Sequence, residues 1–176
     1  MQIAVYGGSF NPPHLGHALV GAWLRWTRRV NSVWLVPAFE HAFSKDLAPF
    51  ADRMRLCQAL ADLVDARVSP IESELAGPSY TWNTLCVLRK RHPEHRFRLV
   101  VGADILQQTD KWHRWGDIAA EFDPIIVGRG GYPPVSGAPT FPEVSSTEVR
   151  QRLSRKEPID HLVPAVVIDV LEGLYQ

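Results

Sequence analysis

Residues 7–17 read GGSFNPPHLGH and follow an apolar run at 2–6, QIAVY. The run is short and stopped by two glycines, which predicts a buried strand. Gly7 and Gly8 let a phosphate or a nucleoside approach the backbone closely. Pro12 and Pro13 set the chain just ahead of a helix, where proline is tolerated. Apolar residues then recur at Leu15, Leu19, Trp23, Trp26 and Val30, predicting a helix over residues 14–29. His14 and His17 fall three apart in its first turn, on one face, and Gly16 leaves room beside that face. A helix N-terminus carries partial positive charge and free N–H groups, so it attracts anions and disfavours a lone protonated histidine. A bound polyphosphate reverses that balance, so ligand binding is expected to raise the pKa of His14 or His17. A glycine turn, a proline stop and two histidines at i and i+3 behind a strand point to a nucleotide-phosphate site.

Outward from this segment, strands and helices alternate. SVWLV at 32–36 predicts a second strand, residues 50–64 and 81–91 two helices, and residues 67–71, 97–101 and 123–127 three further strands. This order predicts an α/β fold, a doubly wound parallel sheet with helices on both faces. A small C-terminal helical part follows at 146–155 and 163–174. Ligands of such sheets bind beyond the carboxyl ends of the strands, where Gly7, Pro37, Gly102 and Gly128 fall. The Gly- and Pro-rich segment 129–142 reads as a surface connection, and Arg53 and Arg55 read as helix-surface residues.

The 176 residues suit a single domain, 1–176, with room for a full core. Nineteen basic residues balance nineteen acidic ones, so the basic excess of a nucleic-acid binder is missing and no nucleic-acid partner is expected. Cys57 and Cys86 sit in helical apolar patterns and are expected to be buried thiols, without zinc spacing. The start of the chain lacks a signal-peptide pattern and no apolar run approaches ~18 residues, so a cytoplasmic protein with no membrane partner is expected.

The opening segment resembles the GG-[ST]-F-D-P-x-H-x-GH signature of the nucleotidyltransferase superfamily, whose HxGH motif is shared with class I aminoacyl-tRNA synthetases. Within it, the chain is similar over nearly its whole length to the bacterial nicotinate-nucleotide adenylyltransferases. SSTEVR at 145–150 resembles the family's ISST-x-[IV]-R motif, which clasps the ATP phosphates; Ser145 and Glu148 also have capping-box spacing. SYTWNTL at 79–85 resembles SYT-x-DTL, at the nicotinate end of the site. Gly102-Ala103-Asp104 and Trp112 match the segment that touches adenosine and then stacks on the pyridine ring, with Trp115 nearby. Asn11 and Asn83 stand where the family usually has Asp; asparagine keeps an acceptor oxygen and loses the charge.

The resemblance implies a Rossmann-like nucleotidyltransferase that joins ATP and nicotinate mononucleotide to give deamido-NAD and pyrophosphate, with Mg²⁺ as cofactor. Its catalytic residues would be His14, His17, Lys45 and Arg150, with His41 an alternative to Lys45. ATP would meet Gly7, Gly8, Ser9, Phe10, Gly16, Gly102, Asp104, Arg129, Ser146 and Thr147. The mononucleotide would meet Asn11, Tyr80, Thr81, Asn83 and Trp112. Nicotinamide mononucleotide or phosphopantetheine as acceptor, or a nucleotide-binding module without turnover, are the competing readings. Oligomeric state is left open.

Overall fold

The computed structural model describes residues 1–40, 47–75 and 79–174. Its elements, in order, are β1 (Gln2–Gly8), α1 (Leu15–Trp26), β2 (Ser32–Pro37), α2 (Phe50–Val64), β3 (Arg67–Val68), α3 (Thr81–Arg91), β4 (Arg96–Gly102), α4 (Trp115–Phe122), β5 (Ile125–Arg129), β6 (Thr140–Phe141), α5 (Ser146–Ser154) and α6 (Ala165–Leu174). The six strands lie in the order β3-β2-β1-β4-β5-β6, and every pairing is parallel. This is the Rossmann-like α/β sheet that the alternation predicts. β1 sits at the centre, with Ile3 opposite Ser32 on one side and Phe97 on the other. The chain leaves β1 toward β2 and later returns to β4. The crevice beyond the β1 and β4 carboxyl ends is therefore the switch point at which such sheets bind ligands.

Alternation along the strands builds two cores. Ile3, Val5, Trp34, Val36, Phe97, Leu99 and Val101 point to the face covered by α3 and α4. Ala4, Val33, Leu35 and Val100 point to the other, where they meet buried residues of α1, α2 and α6, with Val149 of α5. Cys57 is buried and Cys86 half-buried, both as free thiols.

Three elements differ from the sequence expectation. The third strand stops at Val68, because Pro70 turns the chain into a 3₁₀ turn at Ile71–Glu74. The fifth begins at Ile125 rather than at residue 123, because Asp123 takes a left-handed conformation (φ 39°) that ends α4. The segment 129–142 is more than a connection: Thr140–Phe141 form β6, and Gly128 N–H donates to Pro139 O at 2.7 Å. A Cβ on Gly128 would come within 2.9 Å of that oxygen, so the close approach of the two strands requires glycine.

Leu24 of α1 is fully buried in the core that α1 shares with α2. Replacing it with alanine is expected to lower unfolding stability by about 2–5 kcal/mol, read as a reduced urea midpoint at unchanged slope.

Candidate active site

The turn after β1 is buried: Phe10, Asn11, Pro12, Pro13 and His14 are all shielded from solvent. A buried turn cannot use water to satisfy its main chain, so the protein must supply the partners. Arg150 of α5 donates from Nη1 to Asn11 O at 2.6 Å, and Ser146 Oγ donates to Pro12 O at 2.8 Å. Asn11 Oδ1 accepts from Ala48 N–H at 3.3 Å. Phe10 holds the left-handed region (φ 46°) without being glycine, so the turn carries backbone strain. Packing offsets it: the Phe10 ring lies 5.8 Å edge-on from Tyr6 and 4.8 Å from His17.

The two histidines open α1. His14 is its N-cap, and His17 Nδ1 accepts from His14 N–H at 3.1 Å. That bond leaves the neutral His17 ring with its proton on Nε2, a donor that needs no ionisation. The rings lie 3.8 Å apart and tilted by 30°. His14 Nδ1 is buried with no protein partner among the described residues. A Cβ on Gly16 would stand 3.0 Å from that same atom, so glycine makes room for the His14 ring. Burial pushes the His14 pKa down to about 4, and the Arg129 guanidinium adds to the effect. His17 is held well below its usual range by burial, then by His14 and Arg129.

The helix start has fewer free amides than its sequence suggests. Leu15 N–H donates to Leu162 O at 2.8 Å, and His17 N–H folds back on His14 O at 2.9 Å. Among the described residues, Gly16 N–H is the first-turn amide left without a protein partner. At α5, Ser145 Oγ accepts from Glu148 N–H at 3.1 Å, one half of the expected capping box. The Glu148 carboxylate turns instead to Arg152, at 3.3 Å.

A cleft opens beside the histidines, lined by Tyr6, His14, Gly16, His17, Gly102, Asp104, Gly128 and Arg129, with Phe141 and Val144 on its far wall. Arg129 is fixed by a 3.1 Å bond to Val144 O. A side chain on Gly102 would collide with the Asp104 carboxylate, so glycine lets that carboxylate fold over the strand end. Burial keeps the Tyr6 hydroxyl protonated far above its ordinary range. With both histidines neutral, the charges facing this cleft are Arg129 and Asp104, a balance suited to admitting a nucleoside and gathering its phosphates at the helix ends.

The opposite side of the crevice is built differently. Tyr80, the N-cap of α3, lies against His113 with ring centroids 4.8 Å apart and planes tilted by 36°. Trp112 is half-buried and meets Trp115 edge-on at 5.6 Å. Thr81 begins α3, and Asn83 lies exposed in its first turn. Thr147 is exposed, and its Oγ1 accepts from Arg150 Nη2 at 3.4 Å. Ser9 O accepts from Arg53 Nη1 at 3.0 Å. Lys45 and His41 lie outside the described residues.

Arg53 corrects the sequence expectation: it is 1% exposed, while Arg55 is on the surface. The buried stripe of α2 runs through Arg53, Leu56, Cys57, Leu60, Ala61 and Val64. Helical phase puts Arg53 inside, and the sequence carries that signal in the spacing of the stripe. Glu72 is likewise buried, accepting from Thr84 Oγ1 at 3.0 Å and from Phe39 N–H at 3.3 Å. Burial pushes the Glu72 pKa up and lowers that of Arg53, and each side chain's charge opposes the shift of the other. Tyr6 was missed too: it reads as the last apolar residue of a strand, yet its ring lines the cleft.

Comparison with known proteins gives a consistent result. The model of the family described as cytidylyltransferase-like matches residues 5–152. A relative from Anaeromyxobacter sp. (strain K), named "Probable nicotinate-nucleotide adenylyltransferase", is 49% identical and covers 99% of this chain and 97% of its own. The protein of Bacillus subtilis (strain 168) named nicotinate-nucleotide adenylyltransferase is 30% identical over 99% of this chain and 98% of its own. Among solved structures, Plasmodium falciparum nicotinic acid mononucleotide adenylyltransferase complexed with NaAD superposes with a TM-score of 0.81, at 18% identity, over 98% of this chain and 95% of that one. At that identity the likeness is one of fold.

The histidine environment makes a measurable prediction. The folded pKa of His14 lies below the unfolded value of 6.5, so its neutral form contributes stability that is fully present above pH 6.5 and lost as pH falls toward about 4. The full span is worth about 3 kcal/mol. The His14 ring resonances should titrate near pH 4, and saturating ATP should raise that midpoint. A midpoint unchanged by ATP would show that no phosphate sits against this ring.

Proposed function

The chain belongs to the nicotinate-nucleotide adenylyltransferases of the cytidylyltransferase-like family, and from that premise we propose how its own residues carry out the reaction. The enzyme joins ATP and nicotinate mononucleotide to give deamido-NAD and pyrophosphate, a step of NAD biosynthesis. The observation that carries the reading is the docking of α5 onto the β1–α1 turn. Arg150 and Ser146 bond the carbonyls of Asn11 and Pro12 in the turn that leads to the His14–His17 pair. The starts of α1 and α5 thus converge on one spot beyond the sheet's carboxyl ends.

In the reaction, a 5′-phosphate oxygen of the mononucleotide attacks the α-phosphorus of ATP. A new P–O bond forms as the bond to the bridging oxygen breaks, and pyrophosphate leaves with the electron pair. The nucleophile is already an anion, so no general base is required. Catalysis reduces to alignment and charge stabilisation. His17 donates from Nε2 to the phosphate at the reacting centre, and the phosphate charge favours a proton on the His14 ring. Arg150 would meet the triphosphate together with Ser146, Thr147 and Gly16, and the family resemblance assigns Lys45 to the same charge. Adenosine would occupy the cleft along Gly102, Asp104 and Arg129, and the turn of Gly7, Gly8, Ser9 and Phe10 would meet the ATP from the end of β1. The mononucleotide would lie toward Tyr80, Thr81, Asn83 and Trp112; Asn11, read from the sequence as a further contact, is buried and bonded to Ala48 N–H and Arg150 instead.

Magnesium suits this donor set as a substrate-borne ion. Asn11 Oδ1 accepts Ala48 N–H and keeps a second lone pair, and Asp104 brings a carboxylate to the cleft. Mg²⁺ would be held mainly by phosphate oxygens and water, where it neutralises triphosphate charge. We read residues 1–176 as one nucleotidyltransferase domain. The support is that α6, beyond the family match, packs into the core shared by α1 and α2. No helix among the described residues is long and apolar enough to cross a membrane, and a cytoplasmic enzyme supplied with ATP fits the reading.

Pyrophosphate release, measured with ATP, Mg²⁺ and each acceptor in turn, should be fastest with nicotinate mononucleotide. Faster release with nicotinamide mononucleotide or phosphopantetheine would reassign the acceptor, and release with none would leave a binding module. Replacing His17 with alanine should lower kcat by ~10²–10³-fold, as for one lost transition-state donor. Near-wild-type turnover would remove His17 from the mechanism.

A further inference from the structure

Arg53 and Glu72 take no part in the steps above, and neither lines the adenosine cleft. Both are buried, at 1% and 8% exposure. Burying two ionisable side chains is unfavourable unless each is bonded and compensated, so what they hold explains their presence. Arg53 donates to four main-chain oxygens: Ser9 O at 3.0 Å, Ala38 O at 2.7 Å, Phe39 O at 3.4 Å and Ala48 O at 2.9 Å. Ser9 follows β1, Ala38 and Phe39 follow β2, and Ala48 leads into α2. One guanidinium therefore ties the glycine turn to the chain beyond the neighbouring strand. Its five donors in a fixed planar fork suit several carbonyls at set angles, which a lysine could not reproduce.

Glu72 continues the connection. It takes Phe39 N–H and the hydroxyl of Thr84, in the first turn of α3 just past Thr81. Phe39 is thus gripped twice, through its oxygen by Arg53 and through its N–H by Glu72. The result is an unbroken polar chain from Ser9 through Arg53, Phe39 and Glu72 to Thr84. One end lies at the ATP motif and the other at the start of the helix assigned to the mononucleotide.

We propose that Arg53 and Glu72 are positioning residues that fix the distance between the two substrate half-sites, and hence the alignment of the attacking phosphate with the α-phosphorus. The proposal rests on the reaction assigned above. In-line displacement is steeply sensitive to that distance, since a misplacement of about 1 Å costs up to ~10²-fold in rate. A purely structural role would lower stability and leave the kinetics of the folded fraction intact.

The test compares wild type with Arg53→Lys, Glu72→Gln and the double variant. Initial rates of pyrophosphate release are taken well below each melting temperature, with KM for both substrates and kcat resolved. Glu72→Gln is a near-isosteric probe: its amide can accept from Phe39 N–H and donate to Thr84 Oγ1. The Thr84 hydroxyl can then point to Tyr80 O, 3.4 Å away. It removes the charge facing Arg53 and should fold. It is expected to raise KM for the mononucleotide about fivefold, and Arg53→Lys to lower kcat about tenfold or more. The double variant should fall short of the product of the single effects, as for links of one chain. Folded variants with kcat and both KM values within about twofold of wild type would overturn the proposal. If Arg53→Lys does not fold, Glu72→Gln decides by the same criterion. Wild-type protein that does not turn over nicotinate mononucleotide overturns the assigned reaction and this proposal with it, whereas active wild type with unaffected variants overturns the proposal alone.

Discussion

The structure depends on satisfying the main chain of one buried turn, residues 10–14 between β1 and α1. The turn is neither helix nor strand, so it has no ladder of its own, and water is shut out. An unpaired amide or carbonyl in such a place costs on the order of 1–3 kcal/mol. The required partners come from far along the sequence: Ala48 for the Asn11 side chain, Ser146 for Pro12, Arg150 for Asn11 and Leu162 for Leu15. The turn's geometry is thus fixed by α5, by the chain leading into α2 and by the approach to α6. The two histidines inherit their places from it.

The same constraint accounts for the asparagine at position 11. The side chain acts through an oxygen that accepts one amide hydrogen, a task an amide oxygen performs as a carboxylate oxygen does. The charge lost relative to the family's usual aspartate is therefore absent from a site where it would have been buried at 6% exposure. Asn83 differs: it lies exposed on α3, where a charge is readily solvated, and nothing in the structure explains the choice there.

The layering and the switch-point crevice were legible because they rest on periodicity and on glycine stops at strand ends. The motif glycines were legible because a side chain at position 16 would crowd the His14 ring, and one at position 102 would push the Asp104 carboxylate aside. What escaped depends on contacts between distant segments. β6 has two residues and exists only through its bonds to β5. Arg53 escapes a reading by residue type because its place inside is set by helical phase and by four carbonyls from distant segments. The quieter supply of free amides at the start of α1 was hidden because Leu162, which takes one of them, lies 147 positions away from Leu15.

Those separations also impose an order in time. Residues 7–17 are made well before the residues that bond their turn. Ser146 and Arg150 stand 134 and 139 positions downstream of the carbonyls they bond. A growing chain that has emerged only as far as β5 holds the glycine turn and both histidines without the groups that settle them. Closure over such spans is entropically costly and slow relative to local structure. The histidine motif is thus complete only once the C-terminal helices have docked. A chain cut short before α5 would keep the signature in its sequence and lose the pocket that the signature describes.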